Sequence, residues 1–162
     1  MAQLELSNLS FRYQRAQDAV LKDINLTIKS GQFTLINGLD GAGKTTLGYV
    51  LKGIIPHVFE GTLLGEQHLN NKPLQEYTHK ELTKIIGYCF QNPWTQLSMI
   101  KSKLVEELSF SCENVGYNRE ETKFRVKAIT RLLDLGHLLN KNPIHLSIGQ
   151  LQTIALGTVL VL

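Results

Sequence analysis

The chain has 162 residues, of which 43% are apolar and 19% are charged, and its formal net charge is +3. This length and composition suit one globular domain with a core, and they exclude a disordered or fibrous protein. The small positive charge is spread along the chain, so it gives no argument for nucleic acid or anionic lipid as a partner.

The first half is predicted to be rich in strands. Residues 4–11 alternate apolar and polar side chains, and residues 24–28 do so again before a Ser-Gly turn, which predicts an antiparallel pair. An apolar strand is expected at 33–37 and a helix at 43–53, which stops near Gly53 and Pro56. Residues 61–69 read as a short strand that closes at the Asn-Asn-Lys-Pro turn.

The second half is predicted to be mainly helical. An apolar strand is expected at 85–90, and Asn92-Pro93 marks a turn after it. A helix around 103–110 precedes a longer amphipathic helix at about 119–135. The apolar face of that second helix consists of Phe124, Ala128, Leu132 and Leu135. This order of elements is that of an α/β chain with a β-rich start.

Residues 38–46 read G-L-D-G-A-G-K-T-T and lie between a predicted strand and a predicted helix. The glycines let several backbone N–H groups point at one place, where the helix N-terminus adds its positive end. Lys44 supplies a point charge for the β and γ phosphates, Thr45 is placed to complete a Mg²⁺ shell, and Thr46 would add a hydrogen bond to phosphate. The loop therefore predicts a nucleotide site, and the alternative is a glycine turn beside a solvated lysine. The predicted site comprises Gly38, Asp40, Gly41, Ala42, Gly43, Lys44, Thr45 and Thr46.

The cysteines and the apolar pattern indicate the cellular compartment of the chain. Cys89 and Cys112 lie far apart in sequence, without partners at metal-ligand spacing, which fits a reducing compartment and argues against a disulfide framework or a zinc site. No apolar run approaches the roughly 20 residues that cross a bilayer, and the N-terminal residues lack the pattern of a signal peptide. We expect a cytoplasmic chain whose membrane role would need a partner.

Three motifs in order resemble those of the ATP-binding subunit of an ABC transporter. They are the phosphate loop, F-Q-N-P-W-T-Q at 90–96, and L-S-I-G-Q at 146–150, and the resemblance covers essentially the whole chain. It implies a P-loop NTPase domain that binds ATP and Mg²⁺, with an N-terminal antiparallel β subdomain and a helical subdomain. The single domain 1–162 would divide into a β subdomain and P-loop core (1–90), a Q-loop and helical subdomain (91–146) and a signature helix (147–162). The 90–96 motif and the following V-E-E-L-S-F look most like the ATPase component of energy-coupling factor (ECF) importers, which take up vitamins or transition-metal ions.

The resemblance gives roles to residues outside the loop. It implies that Tyr13 stacks on adenine, although the strand pattern also fits ordinary edge packing. Gln91 would reach the Mg²⁺ or the attacking water at the start of a loop that contacts a membrane partner; alone, a Gln before Asn-Pro is a turn residue. Trp94 in that loop fits core burial and a partner interface equally well.

The segment L-S-I-G-Q is similar to the family signature L-S-G-G-Q but has Ile148 at its third position. The resemblance implies that Ser147, Gly149 and Gln150 grip the γ-phosphate bound to the opposite subunit of a head-to-tail dimer. A β-branched residue at 148 is expected to crowd that contact, and an asymmetric pair of sites is a hypothesis that follows. The family's arginine after the signature is also missing. Without the resemblance, Ser147 is a helix N-cap.

The residues that the family uses for hydrolysis are not found. An ABC ATPase has an apolar strand that ends in Asp-Glu and a later switch histidine, whereas no aspartate here precedes a glutamate and each histidine reads as a surface or packing residue. Apolar residues keep helical spacing from Leu151 to Leu162. We therefore expect an incomplete ATPase domain, without assigned catalytic residues, that is marginally stable alone and turns over ATP slowly or not at all.

The favoured function is the ATP-binding subunit of an importer. Its expected partners are a second ATPase subunit, identical or related, a transmembrane coupling subunit and a substrate-capture membrane subunit, on the cytoplasmic face of the membrane and without nucleic acid. One alternative is a nucleotide-binding remnant or regulatory module without turnover. Another is a small kinase or GTPase, but the Asn-Lys pairs at 71–72 and 140–141 lack the aspartate that recognises guanine.

Overall fold

The computed structural model describes residues 3–162. The fold consists of two compact units, and the division falls between Leu82 and Thr83. Each unit has its own group of buried apolar side chains. The single domain expected from the sequence, with its boundaries at 90 and 146, stays a prediction.

The first unit is built on a four-stranded antiparallel sheet in the order β2-β1-β3-β4. Its strands are β1 (Gln3–Tyr13), β2 (Leu21–Lys29), β3 (Gly61–Leu69) and β4 (Lys72–Pro73). Strand β1 pairs with β2 on one side and with β3 on the other, and its apolar alternation places Leu9 and Phe11 in the core. The predicted antiparallel pair is confirmed, and β3 extends it into a sheet.

Helix α1 (Lys44–Lys52) follows the glycine-rich loop. It begins after Gly43 and ends at Gly53, which has a left-handed backbone as many helix ends do. Its buried side chains Leu47 and Val50 belong to the same cluster as Phe11. The helix predicted at 43–53 is therefore confirmed, and its core contacts place the glycine-rich loop beside the end of β1.

The strands predicted at 33–37 and 85–90 were wrong. Residues 32–39 and 86–90 have no regular structure, and a short helix, α2 (His79–Ile85), takes the first residue of the second predicted strand. Phe33 is 95% exposed. An apolar run becomes a strand only when neighbouring strands pair with its backbone and cover its faces. In the described part of the chain, the sheet consists of β1–β4, and neither run is one of its strands.

The second unit is a group of three helices, α3 (Leu104–Val115), α4 (Arg119–Leu132) and α5 (Ile148–Leu160), with 3₁₀ turns at Pro93–Thr95 and Pro143–His145. Helix α3 runs past the predicted end at 110 and stops at Gly116, whose φ is 90°. The Asn118 side chain then accepts a hydrogen bond from Glu121 N–H and begins α4. Buried side chains of all three helices, with Leu135 and Leu138, form the core of this unit.

The face of α4 that is buried differs from the prediction. Val126 and Ile129 are in the core, whereas Phe124 is 75% and Leu132 71% exposed. Leu135 is buried, but it lies beyond the helix, which ends at Leu132. Helix α4 carries apolar residues on two sides, so periodicity alone does not decide which side packs against α3 and α5.

Candidate nucleotide-binding site

The glycine-rich loop ends at α1, and two of its glycines hold conformations that other residues rarely adopt. Gly41 has a φ of 80° and Gly43 a φ of 87°. A Cβ on Gly43 would also lie 3.1 Å from the side chains of Val20 and Leu21. Glycine at 43 is therefore required by backbone shape and by the close approach of β2.

The Lys44 ammonium group is hydrogen-bonded to the backbone of the loop. Its Nζ donates hydrogen bonds to the carbonyl oxygens of Gly38 and Leu39, each at 2.8 Å. The loop is closed further by a bond from Ala42 N–H to Leu39 O at 3.1 Å. Asp40 lies exposed at the tip of the same loop. A single positive charge is thus placed next to the N-terminus of a helix.

The start of α1 fits an anion. The N-cap position is Gly43, so no side chain caps the first N–H groups, and the described first turn holds no carboxylate. Uncapped N–H groups at a helix N-terminus bind phosphate oxygens well, because the helix dipole adds to their partial charge. The loop, the lysine and the helix start together suit a polyphosphate.

The two threonines after Lys44 have different surroundings. Thr45 is exposed and carries the kind of oxygen ligand that Mg²⁺ prefers. Thr46 is 7% exposed, and its hydroxyl lies 3.0 Å from the hydroxyl of Tyr13. The Tyr13 ring packs edge-on against Phe11 and Phe59, with centroids 4.8 and 6.5 Å apart. Tyr13 is therefore hydrogen-bonded to the second threonine of the motif, and its stacking on adenine stays a prediction.

Gln91 lies in the second unit, in an exposed bend before the Pro93–Thr95 turn. The Asn92 side chain accepts from Trp94 N–H at 3.1 Å and starts that turn, while Gln96 Oε1 accepts from Phe90 N–H at 3.2 Å. The Trp94 ring is 38% exposed. The partly exposed Trp94 side chain is therefore accessible to a partner. The role of Gln91 toward Mg²⁺ or the attacking water stays a prediction.

The signature residues begin α5. Ser147 Oγ accepts from Gln150 N–H at 3.3 Å, and Gln150 Oε1 accepts from Ser147 N–H at 3.0 Å, which is a capping box. The N-cap role expected of Ser147 is confirmed. Gly149 has open space where a Cβ would be, and Ile148 is 58% exposed. The start of the helix is accessible, and its grip on a phosphate in a partner stays a prediction.

The cysteines and acidic groups give no sign of a metal centre. Burial raises the pKa of the thiols of Cys89 and Cys112, so both are protonated near neutral pH, and neither is in a disulfide. Across residues 3–162, no group of three or more His, Cys, Asp or Glu side chains is placed to hold a metal ion. A helix long and apolar enough to cross a bilayer is also lacking in the part that the structure describes.

Sequence reasoning missed two features near the motifs. The first is the bond between Tyr13 and Thr46, which are 33 positions apart and share no local pattern. The second is Glu107 in V-E-E-L-S-F, a buried carboxylate that accepts hydrogen bonds from Ser98 N–H, Ser98 Oγ and Lys101 N–H. The sequence signal for this feature was a glutamate inside an apolar stretch. A carboxyl group that is buried in such a stretch needs hydrogen-bond partners. Glu107 holds the segment after the Pro93–Thr95 turn against α3.

Comparisons with known proteins agree with these motifs. The family model described as "ABC transporter" matches residues 21–162. A putative ABC transporter ATP-binding protein of Pyrococcus abyssi is 35% identical over 159 residues, which are 98% of this chain and 56% of that protein. One of Methanosarcina mazei is 37% identical over 160 residues, again 98% of this chain but 32% of that protein. The chain thus spans about half or a third of the length of these curated relatives.

Two solved structures have a similar fold. The structure of cbiO1 from Clostridium perfringens, described as part of the ABC transporter complex cbiONQ, has a TM-score of 0.79 and 32% identity, and the match covers 98% of this chain and 61% of that one. The ATP-binding cassette MJ0796, a dimer bound to ADP and Pi, has a TM-score of 0.78 and 27% identity, with 98% and 69% covered. The predicted fold class, an ABC-type nucleotide-binding domain with an antiparallel β sheet and helices, is therefore confirmed.

Proposed function

The chain belongs to the ABC transporter family of ATP-binding proteins, and on that premise we propose that it binds Mg-ATP to power uptake by an importer of the ECF type. The observation that carries nucleotide binding is the pair of 2.8 Å bonds from Lys44 Nζ to the loop carbonyls, beside the uncapped start of α1. The lysine charge and the first N–H groups of α1, which no side chain caps, are donors of the kind that a polyphosphate requires.

The chain's own residues divide the work of holding the nucleotide. The loop N–H groups and Lys44 bind the β and γ phosphates, and the Thr45 hydroxyl is the group of this loop that would hold Mg²⁺. The ion, when bound, neutralises part of the phosphate charge. The start of α5, with Ser147, Gly149 and Gln150, serves the nucleotide of the partner subunit.

Support for an importer comes from the loop after Gln91. Its F-Q-N-P-W-T-Q form, with the half-exposed Trp94, suits contact with a membrane subunit, and cbiO1, described as part of an ABC transporter complex, is similar in fold and sequence. We propose a second ATPase subunit, a transmembrane coupling subunit and a substrate-capture subunit as partners. The complex would lie at the cytoplasmic face of the membrane and take up a vitamin or a metal ion.

Turnover by this chain is a separate question from binding. Family members hydrolyse ATP, but none of the four aspartates here, at 18, 23, 40 and 134, is followed by a glutamate. We propose that the 162-residue chain binds Mg-ATP with little or no steady turnover.

A titration with Mg-ATP tests the proposed binding. Lys44→Ala removes the charge from the loop and should weaken ATP binding at least about tenfold, because a hydrogen bond to a charged group is worth about 1.5–3 kcal/mol. Isothermal calorimetry of the whole chain measures this.

The matched control is Lys22→Ala, which removes an exposed lysine of β2 in the same unit. It should change the affinity less than about twofold, since exposed charges are screened by solvent. Equal affinities for the wild-type chain and Lys44→Ala would contradict the proposed site.

A further inference from the structure

The hydroxyl groups of Tyr13 and Thr46 join the end of β1 to the first turn of α1. They lie 3.0 Å apart, and the Thr46 side chain is almost fully buried. Tyr13 is the last residue of β1, and Thr46 is two residues after Lys44. The bond therefore ties the end of β1 to the first turn of α1, next to the lysine that is proposed to bind phosphate.

The position of the Tyr13 hydroxyl is fixed by the packing of its ring. Phe11 meets the ring edge-on at 4.8 Å and 79°, and Phe59 does so at 6.5 Å and 86°. Phe59 is itself stacked on Tyr49 of α1, with centroids 5.0 Å apart and an interplanar angle of 12°. A ring held by neighbours on β1 and near α1 loses little further freedom when its hydroxyl makes a bond.

Phosphate decides the direction of this bond when a nucleotide is present. A threonine hydroxyl has one proton and two acceptor sites, and a phosphate oxygen at neutral pH only accepts. If Thr46 donates its proton to phosphate, the proton shared with Tyr13 must come from the tyrosine. The Tyr13 O–H then donates to Thr46 Oγ1 and leaves the Thr46 proton aimed at the ligand.

We propose that Tyr13 is a positioning residue for the phosphate loop, which acts through its hydroxyl on Thr46 and not only through its ring on a base. This inference rests on the proposed nucleotide binding. The Tyr13 hydroxyl would contribute to the affinity for the phosphates, so this contribution does not depend on which base the nucleotide carries. Stacking on adenine, in contrast, contributes nothing to a ligand without a base.

Three ligands separate the two roles: Mg-ATP, Mg-GTP and inorganic tripolyphosphate with Mg²⁺, each titrated into the whole chain. Tyr13→Phe keeps the ring and removes the hydroxyl. We expect it to weaken binding of all three ligands by a similar factor, about threefold to tenfold, the range of one hydrogen bond. Thr46→Val should weaken binding of tripolyphosphate at least as much, and Thr46→Ser, which keeps the hydroxyl, should restore it.

Two comparisons complete the test. In the double variant Tyr13→Phe with Thr46→Val, the tyrosine change should cost nothing further, because its acceptor is gone. Tyr77→Phe is the matched control, since it removes another tyrosine hydroxyl bond of the same unit, to Leu69 O at 2.8 Å, and should leave all three affinities unchanged.

The inference is overturned if Tyr13→Phe binds tripolyphosphate as the wild type does, or if its loss appears with ATP alone. Should Tyr13→Phe fail to fold, Thr46→Val decides: unchanged binding of tripolyphosphate by that variant also overturns it. A wild-type chain that binds none of the three ligands overturns the proposed function and this inference together. A wild type that binds, with a neutral Tyr13→Phe, overturns the inference alone.

Discussion

At the scale of single residues, Glu81 shows how a surface carboxylate can make stability depend on pH. It accepts hydrogen bonds at 2.8 Å from the N–H and the hydroxyl of Thr78, at the start of α2. The backbone bond first, then the hydroxyl bond and more weakly the Lys72 charge, hold the pKa of Glu81 below its ordinary value of 4.5. These bonds favour the ionised form, so acid should weaken them.

The sign of the effect follows from linkage. Because the pKa of Glu81 is lower in the folded than in the unfolded chain, its contribution to stability is fully present above pH 4.5 and is lost as the pH falls through the folded pKa. Glu81→Gln should therefore flatten the acid side of the curve of unfolding free energy against pH. Urea denaturation between pH 3 and 7 is the measurement.

Thr78→Ser keeps both donors of this pair and serves as the control, because it should leave the acid slope as in the wild type. If the acid slope of Glu81→Gln equals that of the wild type, the pKa of Glu81 does not differ between the folded and the unfolded chain.

At the scale of elements, the buried side of α4 can be tested by comparing two truncations. Ile129→Ala empties part of the core of the second unit and should lower the free energy of unfolding by roughly 2–5 kcal/mol. Phe124→Ala removes a ring that is 75% exposed and should change it by less than about 0.5 kcal/mol. Chemical denaturation gives both values, and a larger loss from Phe124→Ala would put the other face of α4 in the core.

Local patterns were sufficient for the elements whose signals lie within a few residues. The alternation of β1 and β2, the glycines around α1 and the Ser147 cap all gave correct predictions, because each depends on neighbouring backbone. The strand predictions at 33–37 and 85–90 were wrong, because the formation of a strand also depends on pairing with another strand from elsewhere in the chain. The hydrogen bond between Tyr13 and Thr46 was missed for the same reason, because two segments distant in sequence create it.

At the scale of the whole molecule, the residues singled out from the sequence are distributed over both units. The first holds the phosphate loop and Tyr13, and the second holds Gln91, Trp94 and the start of α5. The phosphate loop alone already has the chemistry for the first step, which is binding.

The central claim is that the loop and the start of α1 bind the phosphates of a nucleotide. Backbone hydrogen exchange of the whole chain, with and without saturating Mg-ATP, tests it most directly, because the N–H groups that bind phosphate are themselves observed. We predict slower exchange at residues 41–46 with Mg-ATP and no change there with adenosine, which lacks phosphates. Unchanged exchange at 41–46 in the presence of bound Mg-ATP would contradict the account.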